Sequence, residues 1–170
     1  MVSAAVLKGF KVFQGAKDNE LAKMAALCTE RTMAPGDTLF LEGVRATHMH
    51  LCRGGKVDLK IWVCDPFNMN MTVHTAEAGE LFGWSAVVEP YTYTATAECV
   101  EVVHELCIQG AKLLDLFELY PGMGLTVMRG ICSDVSARLK QTRQKLSMEW
   151  LNGSVLVPEK DTVRWGPRKR

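Results

Sequence analysis

The sequence predicts a mainly β domain with flanking helices: a double-stranded β-helix, or jelly-roll barrel, followed by a long C-terminal helix. Three observations carry this. Between Arg31 and Cys107, short apolar runs are interrupted about every 8 to 12 residues by turn signals, the rhythm of a small β-barrel or jelly roll. From Leu125 to Trp150, apolar positions instead recur at alternating gaps of four and three, a helical period. The chain has 170 residues, 48% hydrophobic and 23% charged, which is globular usage and enough to enclose a core, so disordered and low-complexity readings are excluded.

Residues 1–30 read as an N-terminal helical segment. Asp18 to Cys28 is expected to be a short helix capped by Asp18 or Asn19, with Leu21, Met24, Ala25 and Leu27 or Cys28 spaced three and four apart. The β domain, 31–109, follows. Its turns are Ala34-Pro35-Gly36-Asp37, Glu42-Gly43, Arg53-Gly54-Gly55, Asp65-Pro66, Glu77-Ala78-Gly79-Glu80 and Glu89-Pro90. Between them the strands are Thr38 to Leu41, His48 to Cys52, Val57 to Val63, Met71 to Thr75, Tyr93 to Cys99 and Val102 to Cys107. Residues 110–151 return to helix. Ala111, Leu113, Leu114, Leu116, Phe117 and Tyr120 form a short apolar helix that Pro121-Gly122 is expected to stop. The long helix then carries a seam of Met128, Cys132, Val135, Leu139, Thr142 and Leu146, flanked by Arg138, Lys140, Arg143 and Lys145. Such a seam packs on the chain's own barrel or on a twin helix. Asn152-Gly153 should end it, leaving 152–170 as a basic, irregular tail.

Charge is unevenly placed. The formal net charge is +1, yet from Gly54 to Met128 three lysines face ten acids and there is no arginine, a local net of −7. The longest stretches without a charged side chain, such as Phe67 to Ala76, are too short and too polar to span a membrane. Met1 to Phe10 lacks the basic segment of a secretory signal, so the expected location is the cytoplasm. The six cysteines form no Cys-x-x-Cys pair and are expected to be reduced and mostly buried. His48, His50 and Cys52 share one strand face: either half of a metal site, or an edge or partly exposed strand with no metal, and because no acidic or thiol partner has a defined spacing to them no metal site is assigned. Ser85 lacks the second glycine of a nucleophile elbow, Val87 standing in its place, and no other nucleophile–base or carboxylate pair is in evidence, so no catalytic residue is assigned.

Ala34 to Gly43 and Ala46 to Val57, followed by Gly79-Glu80-Leu81-Phe82-Gly83-Trp84-Ser85-Ala86 and Thr94-Ala95-Thr96-Ala97, resemble a cyclic nucleotide-binding domain of the catabolite-activator-like regulator family. The resemblance covers residues 7–148 and places a phosphate-binding cassette at Gly79 to Ala97. In that family the cassette glycine is followed by a glutamate for the ribose, and an arginine about nine positions on holds the cyclic phosphate. Here Gly83 is followed by Trp84, and Tyr93 stands ahead of Thr94-Ala95. Using Gly79-Glu80 for the glutamate puts Glu89 at the arginine position and breaks the Thr94-Ala95 match. A phenol does not neutralise a phosphodiester as a bidentate guanidinium does. What remains is the backbone N–H groups near Gly83, Ser85 and Ala86 with nearby hydroxyls.

The resemblance therefore implies a non-catalytic regulatory or sensor domain, without a cofactor, that does not bind cyclic AMP or cyclic GMP in the standard way. The candidate ligand residues are Gly83, Trp84, Ser85, Ala86, Tyr93, Thr94 and Ala95. Trp84 and Tyr93 either line a reshaped pocket for another small-molecule effector or fill the space a nucleotide would take. The alternative function is a ligandless protein-interaction or dimerisation module that keeps the fold and offers the long helix or basic tail to a partner protein. The seam fits a homodimer. The twenty residues after Trp150 leave no room for the winged helix-turn-helix of the family's transcription regulators, so direct sequence-specific DNA binding is not expected.

Overall fold

The computed structural model describes residues 2–151, the last three through their backbone alone. The chain opens with helix α1 (Ala4–Leu7), a 3-10 turn at Lys11–Phe13 and helix α2 (Asp18–Ala25). Eight strands follow: β1 (Cys28–Met33), β2 (Thr38–Phe40), β3 (His48–Gly54), β4 (Val57–Val63), β5 (Met69–Ala76), β6 (Leu81–Phe82), β7 (Thr96–Cys99) and β8 (Val103–Gln109). They form two four-stranded sheets, ordered β1-β8-β3-β6 and β2-β7-β4-β5. Every pairing is antiparallel, as in a jelly roll. Helices α3 (Gly110–Leu119) and α4 (Pro121–Leu151) complete the described chain.

The strand period of two divides the core. On β3 and β8, Met49, Leu51, Leu106 and Ile108 face the helices and join Leu7, Phe13, Leu21, Leu113 and Val127 in one cluster. Cys52, Val57, Ala97, Cys99 and Val103 instead make a second cluster between the two sheets. His50, two residues before Cys52, lies on that inner side. Gly55 makes the β3–β4 turn at φ +87°, where a Cβ would lie 2.3 Å from the Val102 carbonyl oxygen, so only glycine fits.

Several elements differ from the sequence reading, each for a local reason. The helix expected to run to Cys28 ends at Ala25, and Cys28 opens β1 because Cys28 to Met33 find a full antiparallel partner in β8. Its N-cap is Lys17, whose N–H donates to the Glu20 carboxylate at 2.8 Å, and Asp18 is the first helical residue. The strand expected from Tyr93 begins only at Thr96, so Tyr93 to Ala95 lie outside β7; Thr92 makes only an isolated bridge to Arg45. Pro121 starts α4 where a stop was expected, the first helical position being one that needs no N–H. The break falls at Tyr120. The expected helix end at Asn152-Gly153 and the tail lie outside the described residues.

Helix α4 uses different faces along its length. Met123, Val127 and Ile131 are buried against the body of the domain. At Gly130 a Cβ would lie 2.1 Å from the Val12 carbonyl oxygen, so glycine permits the close approach of α4 to the N-terminal turn. The seam is a neighbouring stripe. Met128 and Val135 are half-buried, whereas Cys132, Leu139, Thr142 and Leu146 are exposed.

Candidate functional site

The cassette begins where β6 ends. Gly83 adopts φ +69°, and a Cβ there would lie 2.9 Å from the His50 ring and 3.4 Å from the Phe40 ring, so glycine is needed for both conformation and space. Trp84–Val87 then form a 3-10 turn in which Ser85 and Ala86 are buried. The turn is wedged under α3, for a Cβ on Gly110 would lie 2.2 Å from the Ala86 carbonyl oxygen. Within the turn the Ala86 N–H already donates to the Gly83 carbonyl at 3.2 Å.

Tyr93 is pinned from both ends. Its backbone N–H donates to the Val44 carbonyl, and its carbonyl accepts from the Gly43 N–H, each at 2.9 Å. Its ring stacks on Phe40 with centroids 3.8 Å apart and planes 10° from parallel. Its hydroxyl donates to the His48 carbonyl at 2.8 Å and accepts from the His48 N–H at 3.1 Å. The residue is only 5% exposed. The space beside the cassette where the resemblance puts an arginine is thus occupied by a fully bonded phenol. Thr94 is exposed and Ala95 half-buried; Ala95 packs on the cluster between the sheets, whereas Trp84 packs on the cluster beneath the helices.

Behind Tyr93 runs an aromatic ladder ending in a buried charge. His50 lies 5.2 Å from Phe40 and stacks on Phe82 at 5.1 Å. Its Nδ1 is 2.9 Å from Glu105 Oε2, and Arg31 Nε donates to Glu105 Oε1 at 2.8 Å. The Glu105 side chain is 0% exposed. Burial pushes its carboxyl up, but the His50 and Arg31 hydrogen bonds and charges outweigh that and hold it below the usual carboxylate range. This corrects the sequence reading of the histidine strand. β3 lies between β8 and β6 rather than at an edge, and His50 does have an acidic partner. That partner was hidden because Glu105 is brought to His50 and Arg31 by β1–β8–β3 register, which no sequence spacing reports.

The outer side of the cassette meets α4 through Arg138. Its guanidinium carbon lies 4.8 Å over the Trp84 ring, and Nη2 donates to the Leu81 carbonyl. Nη2 also lies 3.0 Å from Asp134 Oδ2 one turn back on α4. The side chain is 10% exposed, and neither Nε nor Nη1 has a hydrogen-bond partner among the described residues. Burial pushes the Arg138 pKa down from its ordinary value, against the charges of Asp134 and Glu80. The absence of arginine between Gly54 and Met128 thus concerns the cassette's own stretch of chain; in space, one guanidinium is present, delivered by the helix. The Glu80 carboxyl is likewise held low despite burial, by hydrogen bonds from His74 and the Glu77 N–H.

Away from the cassette, a cavity of about 350 Å³ opens beside Arg31, Arg53 and Glu105, and it is not lined by Trp84, Ser85 or Tyr93. Cys52, Cys99 and Cys107 are buried, whereas Cys64 and Cys132 are exposed. Burial pushes the Cys52 and Cys99 thiols up to about 11 and that of Cys28 to about 12, which makes them poor nucleophiles.

A jelly roll of this strand order, with a glycine-led cassette turn and a long helix packed over it, defines the architecture of cyclic nucleotide-binding domains. The model of that family, the cyclic nucleotide-binding domain, matches residues 30–120, and the chain belongs to it. Among solved structures, one similar protein is from Geobacter metallireducens and is assigned as cyclic nucleotide-binding. It is 28% identical over 82% of this chain and 99% of its own, with a TM-score of 0.73. The N-terminal domain of a transcriptional regulator from Streptomyces coelicolor is 27% identical over 82% of this chain and 95% of its own, with a TM-score of 0.64. The Thermus thermophilus catabolite activator protein shares the fold at 22% identity and a TM-score of 0.66; the match covers 81% of this chain and 62% of that one. No curated protein matches the chain. Among the described residues, no helix is long and apolar enough to cross a membrane.

Proposed function

We propose that this domain is a non-catalytic regulatory module whose cassette does not receive cyclic AMP or cyclic GMP in the standard way, and that it signals through the contact between the cassette and α4. One observation carries the reading: Tyr93, at the cassette arginine position, is buried, stacked on Phe40 and bonded to both polar backbone groups of His48. A cyclic phosphate entering there would have to displace a satisfied hydroxyl and would find no guanidinium from the cassette itself. Of the two roles open to Tyr93 on sequence grounds, filling is therefore favoured over lining a reshaped pocket. Candidate effector contacts then lie on the outer side, at Trp84 and the cassette turn.

The test is calorimetric titration of ligand-stripped protein with cyclic AMP and cyclic GMP. No heat of binding up to millimolar nucleotide is expected, and micromolar binding would overturn the reading. Tyr93→Arg combined with Trp84→Glu is expected to raise cyclic AMP affinity at least tenfold, about 1.4 kcal/mol. An unchanged affinity in a folded double variant would mean that more than these two side chains closes the site.

A second reading, the interaction or dimerisation module, is favoured by a separate observation. Beyond Arg138, every α4 residue through Met148 is exposed, including Leu139 at 49% and Leu146 at 55%. A projecting helix of this length is marginal alone in water and gains stability from an apolar partner. A homodimer through Met128, Cys132, Val135, Leu139, Thr142 and Leu146 supplies one.

A further inference from the structure

Arg138 is the most incompletely satisfied charged group among the described residues. Its side chain is nine-tenths buried, yet Nε and Nη1 have no acceptor, and Asp134 Oδ2, 3.0 Å from Nη2, makes no aligned hydrogen bond in return. A guanidinium carries five N–H donors in a fixed plane, and leaving buried donors unmatched is destabilising because their lost hydration is not replaced. An ordinary structural arginine at this position would be satisfied by a well-aligned carboxylate. Here the nearby acids do not serve. Glu80 uses Oε2 for His74 at 3.1 Å and the Glu77 N–H at 3.0 Å and makes no hydrogen bond to Arg138, and Asp134 is present but misaligned.

We infer that the junction of the cassette and α4 is an oxyanion-binding site in which the cation comes from the helix. Arg138 exchanges the badly aligned Asp134 for a carboxylate or phosphate group of a ligand, and Trp84 forms the apolar wall. Asp134 is then an internal stand-in for the ligand's anion. The Asp134 side chain is 23% exposed, more than that of Arg138, so the way in is from its side, where an incoming anion meets Nη2 first and reaches Nη1 as the carboxylate swings out. The Leu81 carbonyl holds the guanidinium in place during the exchange. Because the ring of Trp84 lies against the same guanidinium, occupancy changes the indole's surroundings and pulls α4 relative to the cassette turn. This inference rests on the regulatory reading above and names the chemical class of its effector.

Inorganic phosphate and acetate serve as probes, each titrated at ionic strength held constant with chloride. Tryptophan fluorescence and the thermal midpoint are followed, with Trp84→Phe identifying the Trp84 signal. A saturable fluorescence change and a rise in midpoint are expected with at least one probe. Asp134→Asn, which removes the competing carboxylate, should tighten binding threefold or more, and Arg138→Gln should abolish it. A response to phosphate alone assigns a phosphate ligand, and a response to acetate alone a carboxylate. No saturable response to either anion in folded Asp134→Asn protein overturns the inference, as does an undiminished response in Arg138→Gln. Should Arg138→Gln fail to fold, the Asp134→Asn titration decides by itself. Cyclic AMP binding of equal strength in wild type and Arg138→Gln would instead overturn the closed-cassette reading, leaving the phosphate and acetate result to stand separately.

Discussion

The two sides of the cassette are built to opposite standards. On the inner side, against β3, the hydrogen bonds close. The Tyr93 hydroxyl serves both backbone groups of His48, His50 meets Glu105, and Glu105 meets Arg31, with aromatic rings stacked between them. On the outer side, against α4, one arginine reaches one carbonyl and one indole face and leaves two of its three nitrogens unmatched. A fully paired polar network in a low-dielectric interior is costly to disturb, because breaking any member strands the rest. A half-paired contact is cheap to exchange. Conformational response is therefore expected at the α4 side, with the inner side acting as the fixed frame.

The largest effect expected from breaking this contrast is at Glu105. Replacing Glu105 with Gln keeps the volume but leaves His50 and Arg31 facing a neutral amide, and a loss of about 3 kcal/mol is expected, moderated because Arg31 is part-exposed and can turn to water. Urea denaturation midpoints at pH 7 measure it. The wild-type protein adds a sign that can be checked. The Glu105 carboxyl is held below its ordinary value of 4.5 in the folded protein, so its contribution is complete above about that pH and is lost as pH falls through the lower folded value. Between pH 5 and pH 3, wild type should lose more stability than Glu105→Gln. Parallel acid profiles for the two proteins would remove Glu105 from the frame.

A smaller loss is expected at Tyr93. Tyr93→Phe keeps the stack on Phe40 and removes the hydroxyl, leaving the His48 N–H and carbonyl without it, for about 1–2 kcal/mol in the thermal or urea midpoint. The variant should still give no heat with cyclic AMP, because it gains no guanidinium. A Tyr93→Phe protein as stable as wild type would mean that the hydroxyl clasp contributes nothing to holding the cassette shut.

The fold was legible in the sequence because its signals are local. Gly36, Gly43, Gly55, Gly79 and Gly83 all adopt positive φ, and the runs between them become strands with ends shifted by a few residues. Val57 to Val63 was placed at its observed bounds. β1 is missing from the sequence reading over its whole length, Cys28 to Met33, because its reason for being a strand is its pairing with β8, not its own pattern. The cassette departures at Trp84 and Tyr93 were visible as missing residue types. What replaces them was not: that Tyr93 folds onto His48, that Glu105 sits beneath His50, and that a guanidinium reaches Trp84 from Arg138 all depend on long-range register and on how α4 crosses the roll. The seam was found by its period, but the stripe of α4 that packs on the domain, Met123, Val127 and Ile131, lies beside it.

The smallest effect on the folded domain, and the one that extends the contrast outward along α4, concerns that seam. Leu139→Glu with Leu146→Glu alters two exposed positions, so the stability of the isolated domain should move by no more than about 0.5 kcal/mol. Light scattering after gel filtration should nonetheless show the dimer population fall to monomer. In a parallel pair of helices, equivalent core positions meet, which sets Cys132 against its copy, so mild oxidation of wild type should cross-link the dimer and the double variant should resist it. Salt supplies a sharper sign. Lys140, Arg143 and Lys145 border the exposed part of the seam, and no acid lies between Val135 and Met148, so symmetric pairing brings these cations together without counter-charge. Screening should relieve that repulsion, and association should strengthen as ionic strength rises. Association that weakens with salt would point instead to a partner carrying acidic groups, and would move the helix from a homodimer seam to the docking surface of a different protein.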